Sequence, residues 1–151
     1  MNYEVVNLKE KKVVGLNIRT NNNDPNMSND IGKLWNEFFN QGIFSEIKNK
    51  VNERAIGLYS NYESDFTGDY DMTVACEVSD EKEIPKGTIV KKIPAGKYAK
   101  FIVKGHMQKA VYEFWQELWT MNLDRAYTCD FEEYINSDID NAEINIYIAL
   151  N

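Results

Sequence analysis

Histidine and cysteine are scarce in this chain, with one of the former, His106, and two of the latter, Cys76 and Cys129. That leaves no Cys/His cluster at metal-ligand spacing, so neither a metal nor a cofactor is expected. Two cysteines fit a reduced cytoplasmic interior better than a disulfide framework. Both lie in strand-like segments and read as small buried apolar residues. Basic residues are outnumbered, 17 Lys and Arg against 24 Asp and Glu, for a net charge of −7. A nucleic-acid binder presents a basic face, so no direct nucleic-acid partner is expected. A field of this sign attracts cations instead. No apolar run approaches the ~20 residues of a membrane span. The acidic start Met1-Asn2-Tyr3-Glu4 runs straight into a strand pattern, so neither a signal peptide nor a preceding helix-turn-helix is expected. The expectation is a cytoplasmic protein with no membrane partner.

What remains is one globular domain's worth of chain: 151 residues, 43% hydrophobic and 27% charged. Aromatics are plentiful at 13%, with 3 Trp, 9 Tyr and 7 Phe, enough to line a pocket as well as fill a core. Tyr3–Leu8 and Val13–Ile18 read as strands, and the polar stretch Thr20–Asn29, with Pro25, as a loop. Ser28, Asn29 or Asp30 is placed to cap a helix bearing Ile31, Leu34, Trp35, Phe38 and Phe39 at three-and-four spacing. Gly42 ends it, and Ile43–Val51 reads as a second short helical piece. Strands follow at Ala55–Glu63 and Tyr70–Val78, then a charged linker at about 80–87.

The pattern then begins again. Strands at Thr88–Ile93 and Tyr98–Val103 precede a helix over Gln108–Met121, and strand-like segments cover Ala126–Ile135 and Glu143–Leu150. Leu34-Trp35-x-x-Phe38 is echoed by Phe114-Trp115-x-x-Leu118, and Tyr62-Glu63 by Phe131-Glu132. The fold expected is α+β, a pseudo-twofold duplication of a strand-strand-helix-strand-strand unit over about 1–79 and 88–151. Its antiparallel sheet would carry both main helices on one side, with a ligand groove at the seam between the halves.

Several short words recur in order: Ile84-Pro85-x-Gly87, Ile93-Pro94-Ala95-Gly96-Lys97-Tyr98-Ala99-x-Phe101, Asp130-Phe131-Glu132-x-Tyr134 and Glu143-Ile144-Asn145-Ile146-Tyr147-Ile148. With Ile56-Gly57-Leu58-Tyr59 and Asp69-Tyr70-Asp71 they make the whole chain resemble the GyrI-like small-molecule-binding domain. That family includes effector-binding domains of AraC-type and MerR-type multidrug regulators and free-standing members. The resemblance implies two strand-helix-strand-strand units around an aromatic pocket with a buried acid that pairs with cationic ligands. The acid falls on Glu132. A second acidic position falls on Asn145, a departure that removes one negative charge, and Tyr147 matches the tyrosine that follows.

Glu132 and Tyr134 share one face of a strand. Glu132 reads either as a pocket carboxylate or as a solvated edge residue. Trp115 and Trp119 lie four apart on one helix face, where core packing competes with a pocket role. Trp35 and Phe39 are their counterparts on the first helix. Tyr59, Tyr62, Tyr127, Tyr134 and Tyr147 read either as stacking surfaces for a planar or cationic ligand or as plain strand formers. His106 reads as a helix cap. The function expected is capture of a lipophilic, often cationic, small molecule. The alternatives are a small hydrolase of strained cyclopropanoid electrophiles, with Glu132 as acid/base and Tyr147 stabilising developing charge, and a protein-interaction module of the gyrase-inhibitor kind, with a protein partner.

Overall fold

A computed structural model describes all 151 residues. The elements in chain order are β1 (Glu4–Leu8), β2 (Lys11–Asn21), α1 (Met27–Asn40), α2 (Ile43–Glu46), β3 (Ala55–Ser60), β4 (Asp69–Val78), β5 (Ile89–Ile93), β6 (Gly96–Gly105), α3 (Met107–Leu118), β7 (Arg125–Tyr134) and β8 (Ala142–Leu150). The fold is α+β. The strands form one antiparallel sheet in the order β1-β6-β8-β7-β3-β4-β2-β5.

Exchange β1 with β5, β2 with β6, β3 with β7 and β4 with β8, and this order reads the same from the opposite edge. The strand order therefore has a pseudo-twofold axis between β3 and β7. The strand-helix-strand-strand unit is β2-α1-β3-β4 in one half and β6-α3-β7-β8 in the other. The extra strand of each half crosses to the other: β1 pairs with β6, and β5 with β2.

The two helices cover one face of the sheet. Leu34 and Phe38 of α1 pack on Val14, Met72, Val74 and Cys76. Phe114 and Leu118 of α3 pack on Ala99, Phe101, Ile146 and Ile148. On the other face a third cluster draws Val13, Ile56, Phe131, Tyr147 and Ile93 together with Val6 and Leu8 of β1. Side chains from both edge strands thus meet in one core. The two cysteines are buried free thiols on opposite faces, Cys76 under α1 and Cys129 in the third cluster.

Several boundaries differ from expectation: β2 runs on to Asn21, into the stretch expected as a loop, β3 stops at Ser60, and α3 ends at Leu118 rather than Met121. Helix α1 begins at Met27 with Asn26 at its cap position, so Ser28, Asn29 and Asp30 lie inside the first turn. An Asx turn in which Asp24 accepts from the Asn26 N–H at 2.8 Å sets that start instead. Helix α2 stops at Glu46, because Ile47 is extended and Lys50 bridges to Val78 of β4. His106 caps α3, its Nδ1 accepting from the Lys109 N–H at 3.5 Å.

Strand β2 crosses β4 closely at Gly15. A Cβ there would lie 1.9 Å from the Val74 carbonyl oxygen and 2.6 Å from the Ala75 Cα, both backbone atoms that cannot step aside. By contrast, Gly32 on α1 has open space around it. Gly15→Ala is expected to lose at least about 3 kcal/mol in urea unfolding. Gly32→Ala is expected to gain up to about 1 kcal/mol from helix propensity.

Candidate ligand-binding site

The register fixes which residues are related by the pseudo-symmetry. With Leu8 superposed on Ile93, Lys11 falls on Gly96 and Val14 on Ala99. Their partners Cys76 and Ile148 then match, followed by Ile56 with Phe131, Gly57 with Glu132 and Tyr59 with Tyr134. Gly57 and Glu132 also face each other directly across the β3–β7 pair. They therefore straddle the axis, with a carboxylate on one strand and no side chain on the other. This corrects the echo expected from sequence: Glu132 corresponds to Gly57, not Glu63.

Alternation along β7 sends Asp130, Glu132 and Tyr134 to the helix face and Phe131 to the other. Glu132 is 1% exposed and has no cation beside it. Three aromatic donors hold it instead. Its Oε2 accepts from the Tyr59 hydroxyl at 2.8 Å and the Trp115 Nε1–H at 2.8 Å, and its Oε1 accepts from the Tyr134 hydroxyl at 2.7 Å. The donors are braced in crossed pairs. Trp115 of the second half meets Tyr59 of the first at 5.1 Å between ring centroids, and Trp35 of the first half meets Tyr134 of the second at 5.2 Å.

Burial raises the Glu132 pKa above the ordinary carboxylate value, opposed by the three hydrogen bonds, which favour the ionised form. The Tyr59 and Tyr134 hydroxyls are held well above the usual tyrosine range, first by burial and then by the negative charge of Glu132. They remain protonated and keep donating.

Beside this cluster lies a cavity of about 280 Å³. The first turns of α1 supply Met27, Ser28 and Ile31, and α3 supplies Tyr112, Trp115 and Gln116, with Trp119 at its C-cap. The sheet and its loops add Asn22, Tyr59, Tyr62, Phe66, Tyr70 and Arg125. The wall is thus largely aromatic. Tyr59 and Trp115 present their rings to the cavity while their polar atoms reach Glu132 behind it. Phe66 stacks on Trp119 at 5.8 Å between centroids and closes one side.

The residues singled out from sequence separate into three groups. Tyr59, Tyr62, Trp115 and Trp119 line the cavity, and Glu132 sits directly behind two of them. Tyr134 donates to Glu132, Trp35 packs on Tyr134, and Phe39 stacks on Trp35 at 6.0 Å, 43% exposed. Tyr147 and Asn145 do not join them. Tyr147 pairs with Phe131 and stacks on its ring at 4.6 Å, and Asn145 pairs with Glu133. Both therefore lie on the sheet face opposite Glu132. The reason is parity: the β8 residue opposite Glu132 is Ile146.

Sequence reasoning overlooked Ile31, Phe66, Tyr70 and Arg125 as cavity residues, and the buried Asp130. A signal existed for Asp130, which lies two residues before Glu132 on the same strand face. None existed for Phe66, which a turn delivers.

The model of the family described as "Integron-associated effector binding protein" matches residues 4–150. The chain belongs to this family. The family is one of effector-binding proteins, and the fold of this chain is that of the GyrI-like domains. An integron cassette protein from the mobile metagenome of Vibrio cholerae superposes with a TM-score of 0.81 at 31% identity, over 99% of this chain and 95% of that one. YobU of Bacillus subtilis (strain 168), provisionally described as a transcriptional regulator, is 29% identical over 97% of this chain and 96% of its own length. SAV2435, solved bound to tetraphenylphosphonium, shares the fold with a TM-score of 0.81 at 20% identity, over 100% of this chain and 94% of that one.

Two outcomes follow from the Glu132 cluster. A Cβ at Gly57 would lie 3.1 Å from the Glu132 Oε1, 3.3 Å from Met72 Cε and 3.3 Å from Trp35 Cζ2. Gly57→Ala is expected to cost about 1–3 kcal/mol in urea unfolding, and less when combined with Glu132→Ala. The raised Glu132 pKa also sets a sign. Its stabilising contribution is fully present below the ordinary carboxylate pKa of about 4.3 and is lost as pH rises through the folded-state value. The melting temperature of the native protein relative to Glu132→Gln should therefore fall as pH is raised from about 4 to 8 in the absence of ligand.

Proposed function

We propose that the protein captures lipophilic cations in the aromatic cavity, with Glu132 as the counter-charge. The observation that carries this reading is a fully buried carboxylate with no cationic partner, held by two side chains that also form the cavity wall. An ionised carboxylate in such a place is costly unless a positive charge approaches it. A cation seated in the cavity against the rings of Tyr59 and Trp115 supplies that charge from the other side of those two side chains. The ring faces of Tyr59, Tyr62, Tyr70 and Trp119 add cation–π attraction and apolar burial. The net charge of −7 draws cations toward the protein over longer range. The tetraphenylphosphonium bound by SAV2435 belongs to the same chemical class, which supports the reading.

The surroundings of Glu132 favour a counter-charge over a general base. Three of its lone-pair directions receive aromatic donors, and neither oxygen opens onto the cavity. A base acting on water needs a free lone pair within reach of that water.

Tryptophan fluorescence reads binding directly, because Trp115 and Trp119 line the cavity. Titration with tetraphenylphosphonium is expected to quench saturably. Glu132→Gln, which preserves shape and an acceptor for Tyr59 and Trp115, should weaken the cation by about tenfold or more. Neutral triphenylphosphine oxide should lose less than about threefold, since it forgoes only a hydrogen-bond adjustment. Equal losses for both probes, or none for the cation, would overturn the assignment of Glu132.

A further inference from the structure

The cavity wall contains one charged side chain, Arg125, and a site for simple cations has no use for it. Strand β7 carries a bulge between Arg125 and Asp130, and Tyr127 within it adopts a left-handed φ of 55°. The Arg125 side chain reaches across this bulge to Asp130 on the same strand. Its Nη2 donates to the Asp130 Oδ2 at 2.7 Å, and its guanidinium lies 4.3 Å from the Tyr127 ring centroid. Only 7% of the Arg125 side chain is exposed, and Asp130 is fully buried.

Asp130 is already well supplied. The Tyr62 hydroxyl also donates to Oδ2, and the Ala149 backbone N–H donates to Oδ1 at 3.0 Å. An arginine that met a carboxylate side-on would use two N–H groups. Here Tyr62 and Ala149 occupy that space, and the buried Arg125 Nε is left with no partner. The pair is neutral as a whole, so it does not repel a cation from the cavity. The Nε is closed off from the cavity, but Nη1 donates to no protein group, so the guanidinium retains donor capacity at the cavity wall.

We propose that the Arg125 wall is a second polar anchor, where the guanidinium donates to an acceptor oxygen on the ligand. The natural ligand is then bipolar, a lipophilic cation that carries a carboxylate or carbonyl oxygen at the end away from Glu132. This inference rests on the reading of Glu132 as the counter-charge and adds a specificity determinant to that site.

Three probes built on one tetraaryl cation test it: tetraphenylphosphonium, (4-carboxyphenyl)triphenylphosphonium and the methyl ester of the latter. The native protein should bind at least one acceptor-bearing probe about tenfold tighter than the parent, the worth of a hydrogen bond to a charged group. Arg125→Met should erase that advantage, so that neither acceptor-bearing probe binds more than about threefold tighter than the parent in the same variant. Because the single variant strands Asp130, Arg125→Met with Asp130→Asn is measured alongside and should give the same result. An advantage in the carboxylate alone assigns the anchor to an anion, and an advantage in the ester to a neutral carbonyl. Equal affinity of all three probes for the native protein, or an advantage that survives the double variant, would overturn the second anchor while leaving the Glu132 reading intact. Failure of the parent cation to bind the native protein would overturn both.

Discussion

The Glu132 carboxylate is the group around which the rest of the site is arranged. It sits where the two halves of the molecule meet, buried and without a cation, and three aromatic side chains donate to it. Two of those donors, Tyr59 and Tyr134, occupy equivalent positions in the two halves. The third, Trp115, has Trp35 as its counterpart, and Trp35 braces Tyr134 rather than the acid. A symmetric frame thus holds a single charge. Only one carboxylate is tolerable so close to the axis, since a second would place like charges side by side. Gly57 fills the equivalent position and yields the space that the carboxylate uses.

The arrangement links stability to function. An ionised group in low dielectric destabilises the empty protein. On the proposed function, a cation drawn to it recovers that energy on binding, so part of the affinity for ligand is prepared in the unliganded fold. Hydrogen bonds from Tyr59, Tyr134 and Trp115 reduce the cost without cancelling the charge. The aromatic rings serve twice, with polar atoms turned to the acid and ring surfaces turned to the cavity. The buried Arg125–Asp130 pair at the same wall is neutral, so it leaves the field of Glu132 intact.

Periodicity made much of the fold legible. The stripes Leu34/Phe38 and Phe114/Leu118 identified both helices and their buried faces, and alternation located most strands. Strand order was another matter. Periodicity along a chain says nothing of which strand neighbours which, and the exchange of β1 and β5 between halves is a long-range choice. Glu132 was legible through the Phe-Glu-x-Tyr word and through its spacing from Tyr134. Tyr147 and Asn145 were drawn to the pocket by the family resemblance, whereas the face a residue occupies depends on the register between β7 and β8. The register sets Ile146 opposite Glu132 and sends its two neighbours to the other side. The Arg125 side chain was hidden by the bulge at Tyr127, which no alternation pattern announces.

The most direct test of the central claim follows the Glu132 carboxyl itself, by carbon-13 NMR of protein labelled at the glutamate side-chain carboxyl and assigned with Glu132→Gln. In the free protein this signal is expected to titrate above the ordinary carboxylate range. Saturation with tetraphenylphosphonium should move the titration to more acidic pH, as a cation drawn to the carboxylate stabilises its ionised form. A midpoint that stays in place, or rises, on binding would contradict the account, because the ligand would then have settled without its charge reaching Glu132.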